Sequence, residues 1–300
     1  MKDAPAVPVS LDVPKTSGRV ADYIELTKLR LNVLVVATSA AGYYLGATGP
    51  LDWWRMVPAV AGTALVAGGA AVLNQVYERD TDALMRRTRM RPLPDGRVLP
   101  DEARLFGLIL SVLGLATLAV WANLVAAALA ATTLIVYLIV YTPMKRRSPL
   151  ATLVGAVPGA LPPIIGWTAS HGSLSAGAAA LFAIVFLWQI PHFMAIAWLY
   201  RDDYSQAGFP MLPVVEPDGR KTGRQAAVYA AVLLPVSLVP WLIGLSGPAY
   251  LGAATALGAV LLALSIRFAH SRTDQSARVL FLASIIYLPL IWITMIWDKT

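Results

Sequence analysis

The sequence predicts an all-α integral membrane protein, built as a bundle of nine transmembrane helices. Only 14% of its 300 residues are charged and 57% are apolar, whereas soluble domains carry roughly 25% charged residues. Several uncharged runs also reach the ~18–20 residues that cross a hydrocarbon core. Helices are expected because they satisfy their own backbone hydrogen bonds in lipid.

The uncharged runs place nine spans along the chain. A disordered tail over residues 1–20, which contains Pro5, Pro8 and Pro14, is expected to precede them. One polytopic membrane domain then covers residues 21–300. The predicted spans are about 30–49, 57–77, 105–122, 124–141, 150–170, 175–199, 226–245, 249–266 and 279–297.

The basic residues predict the orientation in the membrane. All 24 lysines and arginines except Arg55 and Lys299 fall on one side of the nine spans. That asymmetry follows the positive-inside rule and places the N-terminus in the cytoplasm, or its organellar equivalent, and the C-terminus outside. The expected location is the cytoplasmic (inner) membrane. The net charge of +7 therefore reflects topology, and no nucleic-acid partner is expected. Two long connections, about 78–104 and 200–225, lie on the cytoplasmic side.

The chemistry available to the chain is limited by its composition. The sequence has no cysteine, which excludes disulfides, thiolate metal sites and cysteine nucleophiles. No cleavable apolar leader precedes the first span, so a secretory signal peptide is not expected.

Acidic and basic residues concentrate where the second span ends. Asn74, Glu78 and Asp82 are spaced i, i+4, i+8 and fall on one face of a helix, whereas Asp80 points elsewhere. Hard oxygen ligands of this kind suit Mg²⁺ together with a phosphate ester, and Arg87 and Arg91 are placed to bind phosphate oxygens. The structural alternative is a solvated helix end with ordinary salt bridges.

A similar pattern follows the sixth span. His192 lies inside that span, and Asp202 and Asp203 follow its end. We expect two half-sites that face each other across one cavity, with Asp202 and Asp203 available to a second Mg²⁺. His192 is a candidate axial ligand for haem iron or a general base. A hydrogen bond to a neighbouring helix is its structural alternative.

Three other segments are candidates for the same cavity. Tyr141, Lys145 and Arg146 end the fourth span, and their basic groups are placed to reach a diphosphate. Lys28 and Arg30 begin the first span and also are expected to face the cavity. Residues 155–167 contain three prolines and three glycines, which predicts a broken helix in the fifth span.

In these segments the chain resembles the UbiA-type intramembrane prenyltransferases, and within them the haem-modifying protohaem IX farnesyltransferase branch. The resemblance runs from about residue 23 to the last span. Its most specific motifs lie in residues 74–92, 141–146, 159–167 and 192–212. It implies nine helices around a central cavity and Mg²⁺-dependent transfer of a farnesyl group from farnesyl diphosphate to a vinyl group of haem B, with addition of water.

The motifs depart from those of members that act on aromatic acceptors. His192, and Leu199 or Tyr200, stand where such members carry acids, a departure shared with the haem-modifying branch. Leu29 stands where proline is common, and Glu78 stands where aspartate also occurs. A prenyltransferase for 4-hydroxybenzoate or a quinone precursor, and a transporter of an anionic metabolite, are the alternatives. Free haem is insoluble and reactive, so a partner enzyme or an oxidase assembly factor is a plausible source of it.

Overall fold

The computed structural model of the protein describes residues 18–300, in which all regular secondary structure is helical. A single isolated bridge joins Ser246 to Lys299 within that part. In chain order the elements are α1 (Arg19–Leu26), α2 (Leu29–Gly46), α3 (Trp53–Asp82), α4 (Pro100–Trp121), α5 (Leu124–Ile135), a π-helix (Val136–Tyr141), α6 (Thr142–Met144), α7 (Ala151–Gly159), α8 (Pro162–His171), α9 (Ala176–Leu199), α10 (Arg201–Gln206), α11 (Leu212–Val215), α12 (Arg220–Val236), α13 (Val239–Leu242), α14 (Pro248–Ser271) and α15 (Asp274–Trp297).

The observed helices follow the predicted spans closely. Eight helical segments between residues 18 and 300 are long and apolar enough to cross a membrane, and they coincide with the second to ninth predicted spans. The first predicted span corresponds to α2, which carries Arg30 and Asn32 and is not among those eight. The predicted tail largely lies outside the described residues, but Arg19 and Val20 belong to α1, which the sequence did not predict.

Small residues let the first half of the bundle pack closely. A Cβ atom placed on Gly42 of α2 would lie 2.0 Å from the carbonyl oxygen of Pro163, and one on Gly166 of α8 would lie 1.8 Å from that of Ser39. Membrane helices associate largely through such close backbone packing, because lipid supplies little hydrophobic driving force between them. The α2–α8 contact therefore depends on both glycines.

Two irregularities interrupt the helices around the centre of the bundle. The predicted break in the fifth span lies between α7 and α8, at Ala160 and Leu161. Gln189 of α9 packs into that break, since a Cβ on Gly159 would lie 2.1 Å from its side-chain oxygen. The π-helix that follows α5 was not predicted, and such segments are often found at functional sites.

Two long loops cover one end of the bundle, which we call the loop end. The first long loop (residues 83–99) is held by Arg97, which binds the carboxylate of Asp22 on α1 and that of Asp95 at 2.8 Å. Met85 of this loop packs on Ala207 and Phe209 of the second long loop (residues 200–219). The loops therefore contact each other as well as the helices.

The C-terminal residues tie helices together at the opposite end. Lys299 donates hydrogen bonds of 2.7 Å to the carbonyl oxygens of Tyr44 and Ala47, just where α2 ends. The Asp298 carboxylate accepts a 2.7 Å bond from the backbone N–H of Tyr250 in the first turn of α14. These contacts join α2 and α14 to the end of α15.

Replacing Gly42 with alanine is expected to destabilise the bundle. The new methyl group meets backbone atoms of α8, which cannot rotate away, so the two helices must separate. Overpacking of this kind costs about 1–3 kcal/mol and should lower the thermal midpoint of the detergent-solubilised protein. Gly252→Ala on α14 is the matched control, because no atom lies within 4 Å of its added Cβ. Equal midpoints for the two variants would contradict this packing.

Candidate functional site

A cavity of about 530 Å³ lies inside the bundle near the loop end. Side chains from α2, α3, α5, the π-helix, α7, α8 and α9, and from both long loops, line it. Most of its wall is apolar, and its charged residues are Lys28, Glu78, Asp82, Arg87, Arg91 and Lys145. Four basic groups against two acidic groups make the lining net positive, as a site for a polyanion requires.

The polar row that the sequence predicts on α3 faces this cavity. Because α3 continues without interruption to Asp82, Asn74, Glu78 and Asp82 lie on one face, and all three line the cavity. They are only 1%, 8% and 1% exposed, respectively. Asp80 points outward, with its side chain 88% exposed and paired with Arg79. The helical spacing thus separates the acids that can share a ligand from the one that cannot.

Each buried carboxylate of the row has a cationic partner from another element. Lys145 Nζ lies 2.9 Å from Glu78 Oε1, and Arg91 Nη1 lies 2.7 Å from Asp82 Oδ2. Pairing is required because an ionised carboxylate is costly to bury alone. Both cations also line the cavity, so an anion bound there would contact the same groups that now neutralise the acids.

The π-helix orients the side-chain amide of Asn74. The Tyr137 hydroxyl donates to Asn74 Oδ1 at 3.1 Å, and Asn74 Nδ2 donates to Thr142 Oγ1 at 3.2 Å. The Thr142 hydroxyl uses its own hydrogen on the Tyr137 carbonyl oxygen, at 2.8 Å. This network fixes which end of the amide is oxygen, and it leaves a second lone pair on Oδ1.

Tyr137 was not predicted as a site residue, although a signal for it was present, and Thr142 was noted only within the motif of residues 141–146. Tyr137, Tyr141 and Lys145 are spaced i, i+4, i+8, the same spacing as the row on α3. When two helices with the same side-chain spacing pack against each other, their rows of side chains are expected to lie side by side. In the structure Tyr137 and Lys145 each bond to a member of the α3 row.

Lys28 and Arg87 bring positive charge from the first helix junction and the first long loop. Lys28 has a left-handed backbone (φ 52°) where α1 turns into α2. Burial, followed by repulsion from Arg91 and Lys145, lowers the pKa of Lys28 to about 7. An anion in the cavity would therefore favour its protonated form. Arg87 lies over the ring of Tyr200, 5.5 Å from its centroid, and also lines the cavity.

His192 lines the same cavity from α9. Its ring lies between Trp188 and Phe281, with centroids 5.0 and 5.1 Å away. Its Nδ1 lies 2.8 Å from the Ser284 hydroxyl of α15. Ser284 and Phe281 were not predicted, because nothing in the local pattern of α15 shows that it packs on α9 at this depth.

Four predicted site residues lie outside the cavity. The acids Asp202 and Asp203 fall on α10 after the chain leaves helical geometry at Tyr200 (φ −112°, ψ 22°), and this change of phase turns Tyr204 to the cavity instead. Arg30 and Arg146 are exposed and also absent from the lining. Within residues 18–300 no group of three or more acidic, histidine or cysteine side chains is arranged to hold a metal ion. A second Mg²⁺ at Asp202 and Asp203 stays a prediction.

The row on α3 nevertheless has the donors of a magnesium site. Its members offer two carboxylates and one amide oxygen on a single buried face. Mg²⁺ is commonly held by one or two carboxylates, with phosphate oxygens of a substrate and water completing its coordination. The residues present therefore fit a single Mg²⁺ that is shared with a diphosphate.

Comparison with known proteins places this geometry in context. A model of the UbiA prenyltransferase family matches residues 35–288. A protoheme IX farnesyltransferase of Solibacter usitatus is 47% identical over 287 residues, covering 93% of this chain and 98% of the relative. A protein of the same name from Aquifex aeolicus is 41% identical over 280 residues, covering 93% and 95%.

Solved structures show the same fold at much lower identity. A digeranylgeranylglyceryl phosphate synthase superposes with a TM-score of 0.80 at 17% identity, covering 93% of this chain and 98% of the other. A UbiA homolog from Archaeoglobus fulgidus, solved with GPP and Mg²⁺, gives a TM-score of 0.63 at 17% identity, covering 91% and 99%. The all-α bundle is thus shared with these proteins.

Removing the guanidinium of Arg91 is expected to destabilise the metal-free protein. Arg91→Ala leaves the Asp82 carboxylate buried without its partner, which costs about 3 kcal/mol and should lower the thermal midpoint. Arg79→Ala is the control, because its partner Asp80 is exposed and such pairs contribute little. The double variant Asp82→Asn/Arg91→Ala should recover most of the lost thermal stability, because the amide carries no charge. A double variant no more stable than Arg91→Ala would contradict the pairing.

Proposed function

The chain belongs to the UbiA prenyltransferase family, and we propose that it transfers a farnesyl group from farnesyl diphosphate to a vinyl group of haem B. The products are diphosphate and, after addition of water, haem O. Relatives named protoheme IX farnesyltransferase, 41–47% identical over more than nine-tenths of this chain, support the proposal. The observation that carries it is the cavity, which joins an anion-binding region to His192 through an apolar wall.

The diphosphate binds between the α3 row and the basic groups around it. Lys28, Arg87, Arg91 and Lys145 come from three separate segments and all line the cavity. Guanidinium groups bind phosphate oxygens through paired N–H donors, and ammonium groups act as point charges. Arg91 and Lys145 already neutralise Asp82 and Glu78, so a bound diphosphate–magnesium complex replaces one set of charge pairs with another.

Asn74, Glu78 and Asp82 are the residues that would hold Mg²⁺. Bound there, Mg²⁺ would neutralise charge on the diphosphate and make it a better leaving group. Tyr137 and Thr142 hold the Asn74 amide in one orientation. The protein therefore presents its oxygen donors in a fixed arrangement before the substrate binds.

The transfer itself needs an apolar and dry enclosure. The bond between farnesyl C1 and the diphosphate oxygen breaks, and the allylic carbon becomes cationic. The vinyl π-electrons of haem form the new carbon–carbon bond, and water then adds to the carbon beside the porphyrin and releases a proton. Water that arrives earlier would give farnesol instead, so the membrane-embedded wall and the contacting loops serve to exclude it.

The loop end faces the cytoplasm in this proposal. The basic residues on that side follow the positive-inside rule, and farnesyl diphosphate is a water-soluble anion at one end and a lipid-like chain at the other. The N-terminus is then cytoplasmic and the C-terminus outside, in the inner membrane. The diphosphate enters under the two long loops while the farnesyl chain remains in the apolar part of the cavity.

One assay tests the activity against its rivals. Membranes that carry the protein are incubated with haem B, labelled farnesyl diphosphate and Mg²⁺. The products are separated by chromatography and identified by mass spectrometry. A farnesylated, hydrated haem is the expected product. Label on a phenolic acceptor such as 4-hydroxybenzoate, supplied in a parallel reaction, would favour the aromatic prenyltransferase. Uptake of label into vesicles without any product would favour a transporter.

Asp82 and Asp80 lie two residues apart on α3, but only Asp82 lines the cavity. Asp82→Asn removes a charge from the buried row and should lower turnover by roughly 100-fold or more, because the lost interaction strengthens as the diphosphate departs. Asp80→Asn changes an exposed carboxylate two residues away and should retain wild-type turnover. Equal activity of the two variants would remove Asp82 from the proposed metal site.

A further inference from the structure

The His192 ring is held on both faces. Trp188, one turn earlier on α9, stacks on it at a centroid distance of 5.0 Å and an interplanar angle of 23°. Phe281 of α15 stacks on it at 5.1 Å and 30°. A ring between two roughly parallel aromatic planes cannot turn freely, so the plane of the imidazole is set by packing between α9 and α15.

Ser284 determines which ring nitrogen carries the proton. Its hydroxyl lies 2.6 Å from the carbonyl oxygen of Phe281, to which it donates, and 2.8 Å from His192 Nδ1. A serine hydroxyl has one hydrogen, and that hydrogen is used on Phe281. The proton between Ser284 and His192 must therefore belong to Nδ1, with Ser284 Oγ as its acceptor.

The backbone of Ser284 supports the same arrangement. Its carbonyl oxygen accepts a 2.8 Å hydrogen bond from the indole N–H of Trp188. One residue of α15 thus fixes both the stacking partner of His192 and the proton on its ring. Within residues 18–300 no hydrogen bond involves His192 Nε2, although His192 lines the cavity.

We propose that Ser284 is a positioning residue that holds His192 as the Nδ1–H tautomer, so that its Nε2 lone pair binds the iron of a porphyrin in the cavity. This inference rests on the proposed function for the identity of the porphyrin. Histidines that bind metals commonly donate their second ring N–H to a fixed acceptor, which sets the tautomer and strengthens the ligand. The acceptor is a neutral hydroxyl without a counter-charge, which favours the uncharged imidazole in this partly buried site.

The tautomer can be measured without any substrate. The sequence has only three histidines, His171, His192 and His270, so ¹⁵N-histidine labelling of the protein in bilayers gives few signals, and His192→Gln assigns the one of interest. The ¹⁵N shifts should show a protonated Nδ1 and a bare Nε2 at His192. Ser284→Ala should convert this signal to a mixture of tautomers. A protonated Nε2 in the wild type would overturn the proposal.

Titration with ferric haem B tests the iron contact. Ser284→Ala should weaken haem binding about tenfold and change the iron spin state, the effect expected when a ligand loses the group that orients it. Ser284→Thr keeps the hydroxyl and should restore both readouts. Ser265→Ala, at another fully buried serine that bonds only to its own helix, should match the wild type. Binding of farnesyl diphosphate should be unchanged in every variant.

The outcomes separate this inference from the proposed function. One outcome is a wild type that makes farnesylated haem, with a haem spectrum that differs from it in His192→Ala but not in Ser284→Ala. That result would overturn the role of Ser284 alone. A spectrum unchanged in both variants would overturn iron binding by His192. A wild type that binds no haem would overturn the iron contact together with the proposed function, and the ¹⁵N shifts would still decide whether Ser284 sets the tautomer.

Discussion

The arrangement around the cavity depends on the burial of two carboxylates in an apolar bundle. An unpaired carboxylate in such surroundings is strongly unfavourable, so Glu78 and Asp82 each require a cation from elsewhere in the chain. Lys145 arrives from the segment after the π-helix, and Arg91 arrives from the first long loop. The charge balance of α3 therefore fixes the position of two further segments, and one of them covers the cavity. In the proposed function, stability and diphosphate binding would use the same four groups.

Features that depend on local sequence could be predicted well. Run length places the spans, and helical spacing places Asn74, Glu78 and Asp82 on one face while it excludes Asp80. Both properties are set by residues within a single helix. The break between α7 and α8 belongs to the same class, because proline and glycine act on the backbone where they stand.

Features that depend on the phase between segments could not be predicted. Asp202 and Asp203 follow the sixth span as Glu78 and Asp82 end the second, yet α3 continues through its acids and α9 ends before them. The departure from helical geometry at Tyr200 is enough to turn Tyr204 rather than an aspartate to the cavity. The partners of His192 pose the same problem at longer range, since Ser284 lies 92 residues away. Similar motifs in the two halves of the chain thus have different geometries.

In the proposed function this difference would separate the two chemical tasks of the cavity. The proposed diphosphate region relies on charge, and its groups come from segments that tolerate small displacements because electrostatic attraction falls slowly with distance. The region around His192 relies on aromatic stacking and one directed hydrogen bond, both of which require close and specific contact between α9 and α15. Under the proposed function, substitutions on these two helices would therefore change the acceptor region while the diphosphate region stays intact.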